Sequence, residues 1–539
     1  MSSEMCGIAL LVGPGARGQY ATFAAMLDQV RPRGEVEETL VDDEALLGTQ
    51  RLRIVDRDRA VQPWQSADGR YALSYNGEVF NFADLRTQLI GEGRQLRSVS
   101  DTEVVLEGVL AWGDGALPRF RGEFAFAMVE RETQRVFLAR DPAGVKPLYW
   151  ALSQGRLAIA SEVKALVGIA VGPGVPVHEV PPGHCGWAEP GSEPELHPYL
   201  DLLRLGEGEA TVDDLDRASN LVRETYRRAV RMRVDTDLTV GVVLSGGLDS
   251  SLTLLHVREM HPDCVAFTVG TEDSEDLAYA RRLTRELDVP HEVVTLRPRD
   301  IGLSDVREAI RVSEATEYGD VINSVVSNRL FERVHRSGVK VVLTGDGSDE
   351  LFGGYDMYSS ISPDQSRSLF LHKIRQLSRT ELQRVDRTSM GNGVEARVPY
   401  LDLDMLSMAM RIPESMKIRH GYEKWILRHA FADVLPDYIR ERHKNPMSHS
   451  SGLHERIRLY QPLFAGIYRS YGYEGLGPMR RDFWRVLVES DHDLDRAVVA
   501  AQSAQDFTPA EHARDFVGAV RWNVVGGVRA ARRRLSRRG

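Results

Sequence analysis

The sequence predicts two folds in one chain: an α+β domain on antiparallel sheet over residues 6–200, then an α/β domain on a parallel sheet over residues 214–460. Three observations carry this. At 539 residues the chain is too long for one hydrophobic core. Up to about residue 200, short β-rich segments succeed one another between turns, several alternating apolar and polar residues as half-buried strands do. From about residue 214, strand-like and helical patterns alternate, which is the grammar of βαβ units. Residues 461–539 read as a helical extension ending in a basic tail.

The strands of the first domain are ALLGTQRLRIV, YALSYNGEVFN, RVFLARD, PLYWAL and LAIASE, interrupted by a helical DTEVVLEGVLAWG. The Pro- and Gly-rich VGPGVPVHEVPPGH leads towards a linker expected near EPGSEPELHPY. In the second domain TVGVVL, VAFTVG, HEVVTL and VKVVL read as strands. Between them DLAYARRLTRELDV sets Leu277, Ala280, Leu283 and Leu287 at helical spacing. Helices on both faces of a parallel sheet leave ligands beyond the carboxyl ends of the strands. The loops that matter therefore follow TVGVVL and VKVVL.

Composition narrows the function classes. The chain is 42% hydrophobic and 27% charged, with no apolar run of membrane-spanning length and no secretory-type start. A cytoplasmic protein is expected. The formal net charge of -10 argues against nucleic-acid binding. Cys6, Cys185 and Cys264 are odd in number and widely spaced, which suggests neither a disulfide framework nor a zinc site. Cys6 stands apart, five residues from the start of MSSEMCGIALL.

The first loop is LSGGLDSS, Leu244 to Ser251. Ser245, Gly246 and Gly247 let backbone N–H groups approach an anion, and Ser250 and Ser251 open a helix whose amino end favours phosphate. Asp249 would repel a phosphate unless it holds Mg²⁺. No Gly-Lys-Ser/Thr follows, so this is not a Walker loop. The second loop, TGDGSDELFGGY, crowds Asp346, Asp349 and Glu350 at the same sheet edge, so that with Asp249 it makes a credible Mg²⁺–pyrophosphate site.

LSGGLDSS and GDGSDELFGGY, with GVEARVPYLD and GYEKWILR, resemble the synthetase domain of the asparagine synthetase family, an ATP pyrophosphatase of the PP-loop type. The resemblance implies adenylation of a carboxylate, release of pyrophosphate and displacement of AMP by ammonia. It implies an ATP site of Leu244, Ser245, Gly246, Gly247, Asp249, Ser250, Val269, Thr344 and Gly345, with Asp249 and Asp349 serving Mg²⁺. Lys444, in RHKNPMSHSSG, falls where the family has a lysine near the acyl-adenylate. Asp346 falls on the glutamate of the family's Gly-Glu-Gly. Lys424 and Arg428 read as helix-surface charges.

The same family carries an amino-terminal glutaminase of the N-terminal-nucleophile type. The resemblance makes Cys6 the nucleophile and its own α-amine, titrating near pH 8, the general base. Because that chemistry needs an amine on Cys6, the mature chain is expected to begin there. Arg51 is expected to clamp the glutamine α-carboxylate, within a binding stretch of Arg51, Leu52, Arg53, Ile54 and Val55. Asn76 and Gly77, followed by Glu78, supply the oxyanion hole, and Asp101 takes the α-ammonium. RDPAGVKPLYW, and ASEVKAL with Ser161, Glu162 and Lys164, extend the resemblance, which runs from Cys6 to about residue 460.

Three departures stand out: the extra MSSE; RPRGEVEE where the family has His-Arg-Gly-Pro-Asp, expected to alter a loop at the glutaminase mouth; and Asp346 in place of glutamate. EATEYGDVINSVVS also fits the family's acceptor region poorly, so an acceptor other than aspartate is expected. The expectation is a ligase taking glutamine, ATP and a carboxylic acid, with no nucleic-acid or membrane partner, and with a homodimer among the assemblies open to it. A β-lactam-synthetase-like cyclase would lack the cysteine nucleophile. A tRNA-modifying PP-loop enzyme would want a basic face and a cysteine pair or zinc knuckle. A glutaminase that only senses nucleotide would not need Asp249, Asp349 and Lys444.

Overall fold

The structure is a computed structural model that describes residues 5–54, 56, 59–444, 453–503, 512–514 and 516–521. Val55, most of RHKNPMSHSSG beyond Lys444, and the basic tail lie outside the described residues.

Two six-stranded sheets packed face to face build the amino-terminal part. The first runs β10 (His178–Glu179), β8 (Tyr149–Ser153), β9 (Arg156–Ala160), β1 (Met5–Val12), β3 (Ala45–Leu52), β2 (Val36–Val41). The second runs β12 (Glu195–Pro198), β11 (His184–Ala188), β7 (Arg135–Arg140), β6 (Gly122–Glu130), β5 (Tyr71–Val79), β4 (Trp64–Gln65). Strand pairing in both is antiparallel, as expected for this α+β class. Ile8, Leu10 and Val12 of β1 meet Ala125, Ala127 and Val129 of β6 in the seam between the sheets. The helix Tyr20–Gln29 covers the outside of the first sheet, and Phe82–Gly91 with Asp101–Trp112 covers the second. Burial therefore differs from the one wet face that alternation predicts: every residue of β3, and nearly every residue of β5 and β6, is buried. Polar residues such as Gln50, Ser74 and Asn76 produced the alternation, yet they lie inside.

The segment read as a linker is also corrected. His184–Ala188 and Glu195–Pro198 form a hairpin on the edge of the second sheet. Edge strands tolerate Pro and Gly, so a composition that signals linker also suits this position.

The later part carries a five-stranded parallel sheet, ordered β15 (His291–Thr295), β14 (Cys264–Gly270), β13 (Val240–Val243), β16 (Val341–Leu343), β17 (Glu395–Arg397). The chain winds outward from β13 to β15, then crosses to β16 and β17, so winding reverses between β13 and β16. Ligand crevices open at such a point. The expected helix appears as Glu275–Glu286, with Leu277, Ala280 and Leu283 buried. Beyond residue 460, Phe464, Ile467 and Tyr468 join the same apolar cluster as Tyr318, Val163 and Tyr149.

Buried charges join the sandwich to the parallel sheet's surroundings. Arg33 ends a 3₁₀ turn (Arg31–Arg33) within RPRGEVEE, a segment whose other half is β2 rather than an open loop. Its Nε donates to the Cys6 carbonyl at 3.2 Å, and its terminal nitrogens reach Glu162 at 2.7 Å and Asp386 at 2.9 and 3.2 Å. Lys146 lies 3.7 Å from both Asp386 and Glu123, and Glu123 continues to Arg233 at 3.0 Å. Glu78 of β5 pairs with Arg397 of β17 at 2.6 Å. Removing one partner from a buried cluster strands the others' charge. Arg33→Ala is therefore expected to destabilise by about 3–5 kcal/mol. Arg17→Ala, at an exposed pair with Asp43, should cost less than about 1 kcal/mol. Urea midpoints of the two variants check this contrast.

Candidate active site

Cys6 and Asn76 both face the seam, near the ends of β1 and β5. The Cys6 backbone N–H donates to Asn76 Oδ1 at 3.2 Å, which fixes the amide's orientation. Asn76 Nδ2 is thereby turned away, buried and without an acceptor among the described residues. A buried unmade donor costs about 1–3 kcal/mol, so it is a natural place for a developing oxyanion. Gly77 has φ of 146°, and a Cβ there would meet the Glu123 carbonyl at 2.2 Å. Only glycine fits. Gln62 Nε2 lies 3.7 Å from the Cys6 sulfur, while its Oε1 accepts from the Tyr75 N–H at 2.9 Å; the sequence reading missed this residue, whose surroundings offer no local motif.

Asp101 begins the Asp101–Trp112 helix and is fully buried. One carboxylate oxygen accepts from Tyr75 Oη at 2.8 Å and from the Val79 N–H at 3.1 Å. The other, Oδ1, has no donor among the described residues. Burial raises this carboxyl to about 7 against the hydrogen bonds that lower it. Arg51 is buried and its Nε lies 3.0 Å from Glu38 of β2, a carboxylate supplied by RPRGEVEE. Leu52 and Ile54 pack against Val341 and Met390, so their side chains are committed to the core. Arg53 points outward beside Glu35 at 3.7 Å. Glu78 is held by Arg397, and burial first among several causes pushes its carboxyl well above the usual range.

The second set gathers at the switch point. Leu244 follows β13, Val269 lies near the end of β14, and Thr344 and Gly345 follow β16. Leu244 and Val269 are buried. Ser245 Oγ lies 3.0 Å from Ser250 Oγ, and the Gly247 N–H donates to Ser245 Oγ at 3.3 Å, bracing Gly246 and Gly247 over the Leu248–Met260 helix. Ser348 Oγ donates to Asp249 Oδ1 at 2.7 Å, tying the two loops together.

Lys424 corrects the sequence reading. It is 2% exposed, not a surface charge. Its Nζ pairs with Asp249 and lies 2.7 Å from Asp349, so the two carboxylates converge on one cation. Gly354 makes the room: a Cβ there would stand 1.7 Å from Asp349 Oδ1 and 2.3 Å from Lys424 Cε. Lys444 pairs with the same Asp349. Between them the two lysines hold the Asp349 carboxyl well below its usual range despite burial. Arg428 is likewise buried; it donates to the Arg442 carbonyl at 2.8 Å and pairs with Glu423, which also accepts the Lys444 N–H at 2.9 Å. It braces the Lys444 segment. Asp346 accepts from Arg384 at 2.8 Å.

Comparison with known proteins covers both parts of the chain. Residues 5–179 match a glutamine amidotransferase domain family, and residues 221–371 and 361–508 match the asparagine synthase family. The chain is 31% identical over 473 residues to asparagine synthetase [glutamine-hydrolyzing] 3 of Arabidopsis thaliana, covering 83% of this chain and 79% of that one. It is 31% identical over 429 residues to asparagine synthetase B [glutamine-hydrolyzing] of Escherichia coli (strain K12), covering 76% and 75%. Among solved structures, a glutamine phosphoribosylpyrophosphate amidotransferase from B. subtilis aligns over 63% of this chain and 81% of its own at 16% identity, with a TM-score of 0.30, too low to bear on the argument. With matches that span both sets of residues, the chain belongs to the glutamine-hydrolysing asparagine synthetase family.

Proposed function

We propose that this chain is a glutamine-dependent carbon–nitrogen ligase that adenylates a carboxylic acid with ATP and amidates it with ammonia taken from glutamine. The observation that carries the reading is that two buried atoms of opposite kind, Asn76 Nδ2 and Asp101 Oδ1, have no hydrogen-bond partner among the described residues in the part that holds Cys6. A neutral core residue would gain nothing from either. Glutamine supplies what each lacks: carbonyl oxygen for Asn76 and α-ammonium for Asp101.

The chemistry follows from the residues. The Cys6 sulfur attacks the side-chain amide carbon of glutamine, its proton passing to the α-amine that a chain beginning at Cys6 would carry. Asn76 Nδ2 and the Gly77 N–H meet the oxyanion. Collapse expels ammonia, which leaves with a proton, and water then hydrolyses the thioester to glutamate. At the second site an acceptor carboxylate oxygen attacks the α-phosphorus of ATP and pyrophosphate departs. Ammonia then attacks the acyl carbon and AMP leaves. Asp249 and Asp349, which meet at Lys424 here, are hard oxygen donors of the kind that would hold Mg²⁺ beside phosphates. Bound there, Mg²⁺ would neutralise charge on the departing pyrophosphate. Lys444 and Lys424 add positive charge at the same edge, and Asp346, anchored by Arg384, stands in the loop beside them. Glutamine, ATP and the acid are the partners; among the described residues no helix is long and apolar enough to cross a membrane.

The two chemistries should separate by mutation. Cys6→Ala is expected to abolish glutamine use while ammonia-dependent amidation persists. Asp249→Ala is expected to remove pyrophosphate formation while glutaminase turnover survives. Parallel assays of glutamate and pyrophosphate check this, and equal loss of both activities in either variant contradicts it.

Asp101 makes the glutamine KM depend on pH. Its carboxyl is raised to about 7, and only the ionised form attracts an ammonium. Protonation below that value weakens binding, so KM should rise about tenfold per pH unit below 7 and level off above it. Asp101→Asn should raise KM and flatten its profile. A wild-type KM that is flat between pH 5.5 and 8, values chosen to bracket about 7, removes Asp101 from the ammonium site.

A further inference from the structure

Next to the proposed ATP-site loops lies a buried patch in which carboxyls outnumber cations. Lys373 sits near Glu317, Asp320, Glu350 and Glu381, its Nζ 4.7 Å over the Tyr355 ring. Tyr355 Oη donates towards Glu350 and lies 3.4 Å from Glu381, yet a phenol has one proton for two carboxylates. Arg384 spans Asp346, at 2.8 Å, and Glu381, at 2.6 Å. The patch therefore sets Glu317, Asp320, Asp346, Glu350 and Glu381 against Lys373 and Arg384, with Asp482 and Arg480 adding one charge of each sign beside Glu317. The nearby cations Lys424 and Lys444 are already engaged by Asp249 and Asp349. Lys444 links patch to site, since its Nζ lies 4.8 Å over the same Tyr355 ring.

Asp320 is the member of the patch with an unmatched atom. It is 5% exposed, and its Oδ2 has no hydrogen-bond partner among the described residues. Its electrostatic neighbours are the members of the patch: Glu381, Glu317, Arg384 and Lys373. It stands in the first turn of the Tyr318–Arg336 helix, where the dipole favours an anion, yet burial, ahead of Glu381 and Glu317, pushes its carboxyl well above the usual range, and a cation beside it would restore the charge. Glu317 and Asp320 both come from EATEYGDVINSVVS, the segment that departs from the family's acceptor region.

We infer that the acceptor acid carries an additional cationic group, an amine or guanidine, which docks against Asp320 with Glu317 and Glu381 while its carboxylate meets ATP near Asp346. This rests on the adenylation reading above. Aspartate suits the patch poorly: one carboxylate is activated, and the other would add negative charge beside its own ammonium. A monocarboxylic acid with a side-chain cation brings positive charge where it is missing.

The test uses the full chain with MgATP and ammonium chloride, so that the glutaminase is not needed, and measures pyrophosphate release. The acids are L-aspartate, L-ornithine, L-lysine, L-arginine and the side-chain N-acetyl forms of ornithine and lysine. At least one cationic acid is expected to exceed aspartate and its own acetylated form in kcat/KM by about tenfold or more, the range of a hydrogen bond to a charged group. Asp320→Asn, isosteric and free of a buried unpaired charge, should fold and should lower the ratio of cationic-acid to aspartate kcat/KM about tenfold or more. Aspartate outperforming every cationic acid, or an unchanged ratio in Asp320→Asn, overturns the inference and leaves the ligase reading standing. Pyrophosphate release with none of the acids, by protein that still binds ATP, overturns the adenylation reading and this inference with it.

Discussion

One arginine has to be satisfied before either site can exist. Arg33 is buried, and it spends its donors on the Cys6 carbonyl, Glu162 and Asp386. An isolated buried guanidinium is prohibitively costly, and the cost is offset only when every partner is in place. Those partners come from β1, from the turn after β9, and from the Glu381–Met390 helix beyond β16. The strand that presents the thiol is thus held by a helix that also carries Arg384, the anchor of Asp346. Position of the proposed nucleophile and position of the proposed acceptor loop are mechanically one problem.

Around that anchor, the two sites use opposite electrostatics. Around Cys6, single buried polar atoms are unmatched among the described residues, a donor at Asn76 and an acceptor at Asp101, the set that the proposed zwitterionic substrate would complete. The phosphate cleft instead gathers charge: Asp249 and Asp349 on Lys424, with Lys444 alongside. The proposed triphosphate chemistry needs strong fields from preorganised groups, and the Lys424–aspartate contacts hold such groups in place. Glu38 adds a refinement, since its contact with Arg51 orients a guanidinium whose proposed task is to meet a carboxylate.

What the sequence made legible was local. LSGGLDSS and TGDGSDELFGGY identify themselves because strand, loop and helix onset are contiguous in the chain, and both sit where the parallel sheet's winding reverses. Asn76 and Gly77, inside β5, were expected only through the family resemblance of YNGEVFN. The rest depends on contacts that no window of sequence contains. Arg33 and Asp386 are 353 residues apart, and RPRGEVEE therefore read as a disturbed loop. Lys424 read as a surface charge because nothing beside it in sequence reveals the space at Gly354. The hairpin of β11 and β12 read as linker, because edge strands and linkers share Pro and Gly. Asp320 was visible only as part of a poor match; its lack of a partner is a fact of packing.

The central claim is that Arg33 makes the two chemistries one machine. Arg33→Lys keeps the charge but cannot reach Cys6, Glu162 and Asp386 together, because an ammonium lacks the planar fork. The decisive measurement is the ratio of glutamate formed to pyrophosphate released in Arg33→Lys and in the unaltered chain, with ammonia-dependent amidation as the control for the second site. The expected result is equimolar products in the unaltered chain and excess glutamate in the variant, with the control largely retained. An unchanged ratio in a folded Arg33→Lys protein would contradict the account.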